Sequence, residues 1–219
     1  MGALKGSISV RRYVVLDKLP AEARKKLTKG LRAHAFVPVD PRGDAERGVG
    51  WVDLHDGENA ELGPELLFWN GADGEQLRVT LRIDVLKPPA AEVKRQTAVR
   101  VAEREKVEDR ALARREKQAI KDEVTRQLRL RTLPRVRLTD VVWNLDTGVL
   151  WLWSQAKGVN EAFLELFAKS CAMKLDIDGP ARWVRGAKLG RGLEGLEPTP
   201  ELWAGFPGVR PLGGATEVA

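Results

Sequence analysis

The chain is poor in the residues from which catalytic and metal sites are most often built. Among its 219 residues stand one cysteine, Cys171, and two histidines, His34 and His55. A lone cysteine excludes an internal disulfide framework and fits a reducing compartment. Three such residues leave too few ligands for a zinc site of cysteine and histidine. No stretch of about 18 apolar residues exists, so no transmembrane span is expected. The first residues lack an apolar core followed by a small-residue cleavage site, so no signal peptide is expected either. Gly190-Arg191-Gly192 is a loop fragment without the strand and helix that a phosphate-binding loop needs. His55, Asp56 and Glu58 can be drawn as an acid/base or Mg²⁺ cluster, but a solvated surface loop explains them better. Cys171 falls at a helix end and is most simply buried. The expectation is a non-catalytic protein with no cofactor and no metal.

What the chain has is charge, unevenly placed. It carries 37 basic and 31 acidic residues, a net +6 and a pI near 9.6. From Lys94 to Arg137 fifteen basic residues stand among seven acidic ones, a net +8, so the remainder sums to −2. Ala90 to Arg131 contains neither glycine nor proline and is rich in strong helix formers. Pro88 and Pro89 suit a helix start, and Pro134 a stop. These signals predict one long basic helix over residues 88–133, about 60 Å at 1.5 Å per residue. A long charged helix is often only a solvated element laced with i,i+4 pairs. An excess of eight positive charges favours instead a face that tracks phosphates. The contacts expected are Lys94, Arg95, Arg100, Arg104, Arg114, Arg115, Lys121, Arg126 and Arg129. Leu112, Ile120, Val124 and Leu128 form a stripe that predicts docking of the C-terminal half. The N-terminal half is expected to project or to meet a partner.

The flanking segments read as antiparallel sheet with packed helices, an α+β chain. Residues 1–87 predict a β-α-β-β-β unit: a strand within Lys5–Asp17, a helix near Ala21–Arg32, and strands at Val49–Leu54, Glu65–Trp69 and Gln76–Leu86. In the last, Leu77, Val79, Leu81, Ile83 and Val85 alternate with Arg78, Thr80, Arg82 and Asp84, the pattern of a half-buried strand. Residues 134–180 predict a β-β-α-β unit: a hairpin about Asp146-Thr147-Gly148, an amphipathic helix Val159–Cys171 with Phe163, Leu166, Phe167 and Ser170 on its stripe, and a strand Met173–Ile177. Residues 181–219 read as an irregular Gly/Pro-rich tail with Trp183 and Trp203 as anchors. The seven tryptophans suggest stacking on single-stranded nucleic acid. For Trp51, Trp69, Trp143, Trp151 and Trp153, core packing is the stronger expectation. Trp183, beside Arg182, Arg185 and Lys188, is the best candidate for an exposed aromatic.

Several pieces, in order, resemble the RdgC family of recombination-associated proteins. They are Ala33-His34-Ala35-Phe36-Val37-Pro38, Gly50-Trp51-Val52, Lys121-Asp122-Glu123-Val124, Leu133-Pro134-Arg135, the Trp143 strand with its Asp146-Thr147-Gly148 turn, and Ser154-Gln155-Ala156-Lys157. The resemblance covers roughly residues 5–180 and breaks off where known members, about a third longer, continue. It implies a cytoplasmic, nucleoid-associated homodimer that binds double-stranded DNA with little sequence preference. Single-stranded DNA is a second form it implies, and RecA-pathway proteins are implied partners in restraining recombination. The chain's length puts the closed ring of that family in question. A protein–protein module, its charged helix binding an acidic partner, is the alternative.

Overall fold

The computed structural model describes residue 3, residues 9–179 and residue 182. Its elements run β1 (Arg11–Val15), α1 (Ala23–Ala33), β2 (Arg47–Val52), α2 (Pro64–Leu67), β3 (Phe68–Gly71), β4 (Gly74–Val85), α3 (Ala90–Glu108), α4 (Arg114–Arg129), β5 (Arg135–Asn144), β6 (Val149–Leu152), α5 (Lys157–Cys171) and β7 (Leu175–Ile177). The strands form one seven-stranded antiparallel sheet in the order β2-β4-β5-β6-β1-β7, with β3 also paired to β4. The fold class is therefore α+β, as the pattern of alternating residues predicts. Residues 11–85 and 135–177 are not two separate sheets. They share this one, joined along β4 and β5 over ten residue pairs from Gln76–Asn144 to Val85–Arg135.

Alternation along each strand decides which face is covered. Tyr13, Val15, Leu77, Val79, Leu81, Trp143, Leu150 and Leu152 share one face and pack against Leu27 and Leu31 of α1 and Phe163, Leu166 and Phe167 of α5. Phe163 lies between aromatic neighbours, its ring centroid 5.5 Å from Tyr13 and 6.3 Å from Trp51. Ser170, the polar member of the α5 stripe, has a reason to be there. Its Oγ accepts a 3.0 Å hydrogen bond from the fully buried Trp51 indole N–H, which would otherwise be an unsatisfied donor. Gly30 lets α1 lie directly on α5, since a Cβ there would stand 1.8 Å from the Ser170 carbonyl oxygen.

Three expectations are corrected. The segment Glu65–Trp69 is not all strand: Pro64 opens a single helical turn, α2, and the chain becomes extended only at Phe68. The polar face of β4 is not solvated over its second half, where Thr80, Arg82 and Asp84 are all buried. Thr80 donates to Asp140, Arg82 is paired with Asp84 and Glu58 and donates to the Gly57 carbonyl, and the Phe36 ring stacks on Arg82 at 4.4 Å. Burial of these groups is tolerable because each has partners. Third, the long helix is a hairpin of two helices, described below.

Residues 178–219 form a second unit, of which 178, 179 and 182 are described. Within it Arg182 Nη1 lies 3.7 Å from Asp178 Oδ1. Trp183, Arg185, Lys188, Arg191 and Trp203 lie outside the described residues. Among the described residues no helix is long and apolar enough to cross a membrane.

Gly30→Ala tests the α1–α5 contact. By helix propensity alone it would stabilise α1 by up to about 1 kcal/mol. The clash with a backbone oxygen, which cannot rotate away, reverses the sign. The expected net loss is about 1–3 kcal/mol, the range of overpacked cores, read as a lower urea midpoint at unchanged slope. A variant as stable as the parent refutes the close packing.

Candidate nucleic-acid interface

The basic segment leaves the sheet at the end of β4 and returns at the start of β5, strands paired at Val85–Arg135. Between them α3 has 19 residues and α4 has 16, about 28 and 24 Å long at 1.5 Å per residue. The two helices pack on each other. The break needs no glycine or proline. Asp109 takes the left-handed conformation (φ 49°), which a short polar side chain tolerates. Leu112, 5% exposed, is pulled into the angle between the helices.

Charged side chains then fix the turn. The Glu105 carboxylate accepts from the Leu112 N–H at 2.9 Å and pairs with Lys117 at 2.8 Å. The Glu116 carboxylate reaches back to the Ala113 N–H at 2.8 Å, half of a capping box, and takes Arg110 on both oxygens. Arg110 also pairs with Glu108, which holds Arg104 at 2.7 Å. These contacts hold Glu116 down to about 2, Arg110 being the larger cause and the Ala113 N–H the next. Glu105 is lowered too, by Lys117 first and then the Leu112 N–H.

The nine basic residues expected on one helix therefore separate into three groups. Arg95, Arg104 and Arg126 are ion-paired to Glu92, Glu108 and Glu123, and Arg100 donates to Gln127 across the hairpin. Arg129 is not a surface contact. It is 9% exposed and donates to the backbone carbonyls of Asp40, Asp44 and Ala45, which fastens the end of α4 to the loop before β2. The rigid, planar fork of N–H donors suits arginine to that task; its two terminal nitrogens make these bonds, while Nε is buried without a partner among the described residues. Lys94, Arg114, Arg115 and Lys121 remain exposed, with no ion pair among the described residues.

Arg114 and Arg115 occupy the first turn of α4, where the helix dipole disfavours cations. Their placement does nothing for the helix, and it leaves two guanidinium groups beside a helix terminus that attracts anions. Lys94 and Lys121 line a groove of about 730 Å³ together with Lys87, Lys117, Val93, Ala98 and Val101, and with Glu46, which lies 3.9 Å from Lys87. Lys87 and Lys117 are the residues that reading the segment as one helix could not bring to this place. Val107 is 85% exposed near the turn, while Val93 and Val124 are buried. The hairpin is thus seated at its open end and projects at its turn.

The His55 loop is held as a turn. Asp53 accepts from the N–H groups of His55 and Asp56, and Asp56 accepts from Glu58 N–H. Among the described residues no three His, Cys, Asp or Glu side chains gather to hold a metal ion.

A family model described as "Putative exonuclease, RdgC" matches residues 10–179. No curated protein matches the chain.

The turn's pH response follows from its carboxylates. Groups held below their ordinary value of 4.5 contribute stability that is complete above that value and lost as pH falls through the lowered one. Between pH 4.5 and about 2 the hairpin turn should loosen before the sheet does. Amide protection at Leu112 and Ala113, relative to the intrinsic exchange rate at each pH, is expected to fall over that interval, and Glu116→Gln to bring the loss to neutral pH. Equal protection at pH 7 and pH 3 would contradict it.

Proposed function

The chain belongs to the RdgC family, and on that premise we propose that it is a non-catalytic protein that binds double-stranded DNA through backbone phosphates, with the α3–α4 hairpin as the principal contact. The observation that carries the proposal is the set of four exposed cations without acidic partners among the described residues, Lys94, Arg114, Arg115 and Lys121, on a segment of net +8. Every lysine or arginine that neutralises a phosphate releases condensed counterions, which gives affinity without sequence information. The ion-paired arginines of the hairpin contribute less, because each must first leave its carboxylate. Arg129 contributes through the hairpin's orientation.

The absence of chemistry is part of the proposal. In the His55 loop one oxygen of Asp53 and one of Asp56 accept from backbone N–H groups, and Glu58 pairs with Arg82, which supports a structural role for them. A homodimer in the cytoplasm, associated with the nucleoid and restraining RecA-dependent recombination, completes the reading that family membership suggests. Sedimentation at tens of micromolar checks the dimer, a range in which weak specific pairs still assemble.

Mobility-shift titrations on duplex DNA at several salt concentrations test the interface. Log affinity should fall against log salt with a slope of about −0.9 for each phosphate neutralised. Arg114→Ala, Arg115→Ala and Lys121→Ala combined keep helix propensity high. They should weaken binding to all sequences alike and make the slope shallower by about 3, one for each lost contact. An unchanged affinity and slope in the folded triple variant rejects the hairpin as the contact. Divalent-metal-dependent DNA cleavage abolished by Asp56→Ala would reject the non-catalytic reading.

A further inference from the structure

The groove between α3 and α4 is lined by short apolar side chains as well as by lysines. From α3 it takes Val93, Thr97 and Val101, each four residues from the last, with Ala90 and Ala98 on the same stripe. From α4 it takes Lys117, Lys121 and Thr125, again four apart. The stripe from Ala90 to Val101 runs about 16 Å, or about three turns of helix. Both threonines turn their hydroxyls back onto their own helices. Thr97 donates to the Val93 carbonyl at 2.7 Å, and Thr125 to the Lys121 carbonyl at 2.8 Å. With those donors satisfied, the two helices offer an occupant apolar contact and ammonium groups.

The charge of the groove is one-sided. Lys87, Lys94, Lys117 and Lys121 stand against one lining carboxylate, Glu46. Lys87 lies 3.9 Å from Glu46, and Lys117 is held at 2.8 Å by Glu105 of the turn. Lys94 and Lys121, one from each helix, are exposed and have no ion pair among the described residues, so they are the two left for an incoming acid. A phosphate backbone satisfies these two lysines but brings no apolar surface to Ala98 and Val101. A helix with an apolar stripe flanked by acids satisfies both. Helices that pair along such seams carry their charged residues beside the apolar ones in this way.

We propose that this groove docks an acidic amphipathic helix of a partner protein, with its apolar stripe on Ala98 and Val101 and its glutamates or aspartates against Lys94 and Lys121. Removal of apolar surface from water drives the contact, and the lysines set its orientation and its choice of partner. Lys94 and Lys121 serve the duplex reading too, so partner and DNA compete for the hairpin, and the partner regulates access to DNA. The docking rests on the groove alone. The competition rests also on the duplex reading.

The test uses the full chain and a fluorescein-labelled amphipathic peptide of about 16 residues, alanine-rich to favour helix, with leucine every three or four residues and glutamate beside each. A peptide of the same composition in scrambled order is the control, and both are read by anisotropy. The amphipathic peptide should bind, and the scrambled one at least about tenfold more weakly. Ala98 is exposed on α3, and Ala98→Gln keeps helix propensity and net charge while putting a polar side chain into the groove. This variant should bind the amphipathic peptide at least about tenfold more weakly than the wild type, the loss of one central contact. Unlabelled duplex DNA should displace the peptide. A wild type that ignores the amphipathic peptide, or binds both peptides alike, overturns the proposal. So does a folded Ala98→Gln variant with unchanged peptide affinity. A dimer that Ala98→Gln splits in sedimentation, with no peptide bound, gives the groove to a second copy and overturns it as well. Duplex that binds without displacing the peptide refutes the competition. Peptide binding by a protein that fails on duplex rejects the hairpin as the DNA contact and leaves the docking standing.

Discussion

The pairing of β4 with β5 is the constraint on which the rest of the structure depends. β4 is the longest strand, and every other part of the sheet is reached through it or through its partner. Its far edge serves β2 and β3 in succession, and β5 passes the sheet on to β6, β1 and β7. A slip of one residue in this register would turn Leu77, Val79, Leu81 and Ile83 out of the core and bring Arg78, Thr80, Arg82 and Asp84 into it. The buried Thr80–Asp140 hydrogen bond crosses the seam at a directly opposed pair and guards against that slip. The seam also fixes the roots of the helical hairpin, at Val85 and Arg135.

Charge is used in two ways on the hairpin, and burial and pairing tell them apart. Glutamates 105, 108 and 116 are spent on the turn, where they substitute for a glycine or proline that is not there. Exposed pairs of this kind are individually weak, but Glu105 and Glu116 also accept from backbone N–H groups that a broken helix leaves without partners. The cations that stay unpaired are those that the hairpin does not need. A count of lysine and arginine along the segment cannot make that distinction, and the fold makes it residue by residue.

Much of the fold was legible from local pattern. The alternation of β4, the α5 stripe from Phe163 to Ser170 and the Asp146-Thr147-Gly148 turn each name their own structure. What escaped depended on partners distant in sequence. The break at Asp109 lies in a run of good helix formers, and only the packing of α3 on α4 makes a left-handed aspartate preferable to another helical turn. Arg129 reads as one more surface charge until the loop carbonyls of residues 40–45 are brought to it. The burial of Arg82 and Asp84 requires the segment around Gly57 and Glu58 as a cover. Trp69, expected in the core, is 46% exposed, because alternation along β3 puts it on the opposite face from Phe68. Of the expected DNA contacts, position along the chain was readable, and availability was not.

Because α3 and α4 rise from a directly opposed residue pair, the chain between Leu86 and Pro134 enters and leaves the sheet at one point. The longest gap between strands that follow one another in the chain is bridged by two helices held together through their own contacts. In folding, an unstructured segment of that length would lose considerable entropy on bringing its ends together. A helical hairpin forms from contacts close in sequence and delivers the two strand ends side by side. The central seam is thereby moved from the class of slow, non-local pairings toward that of rapid local ones. The same element that presents positive charge to solvent also acts as the splint along which the sheet closes.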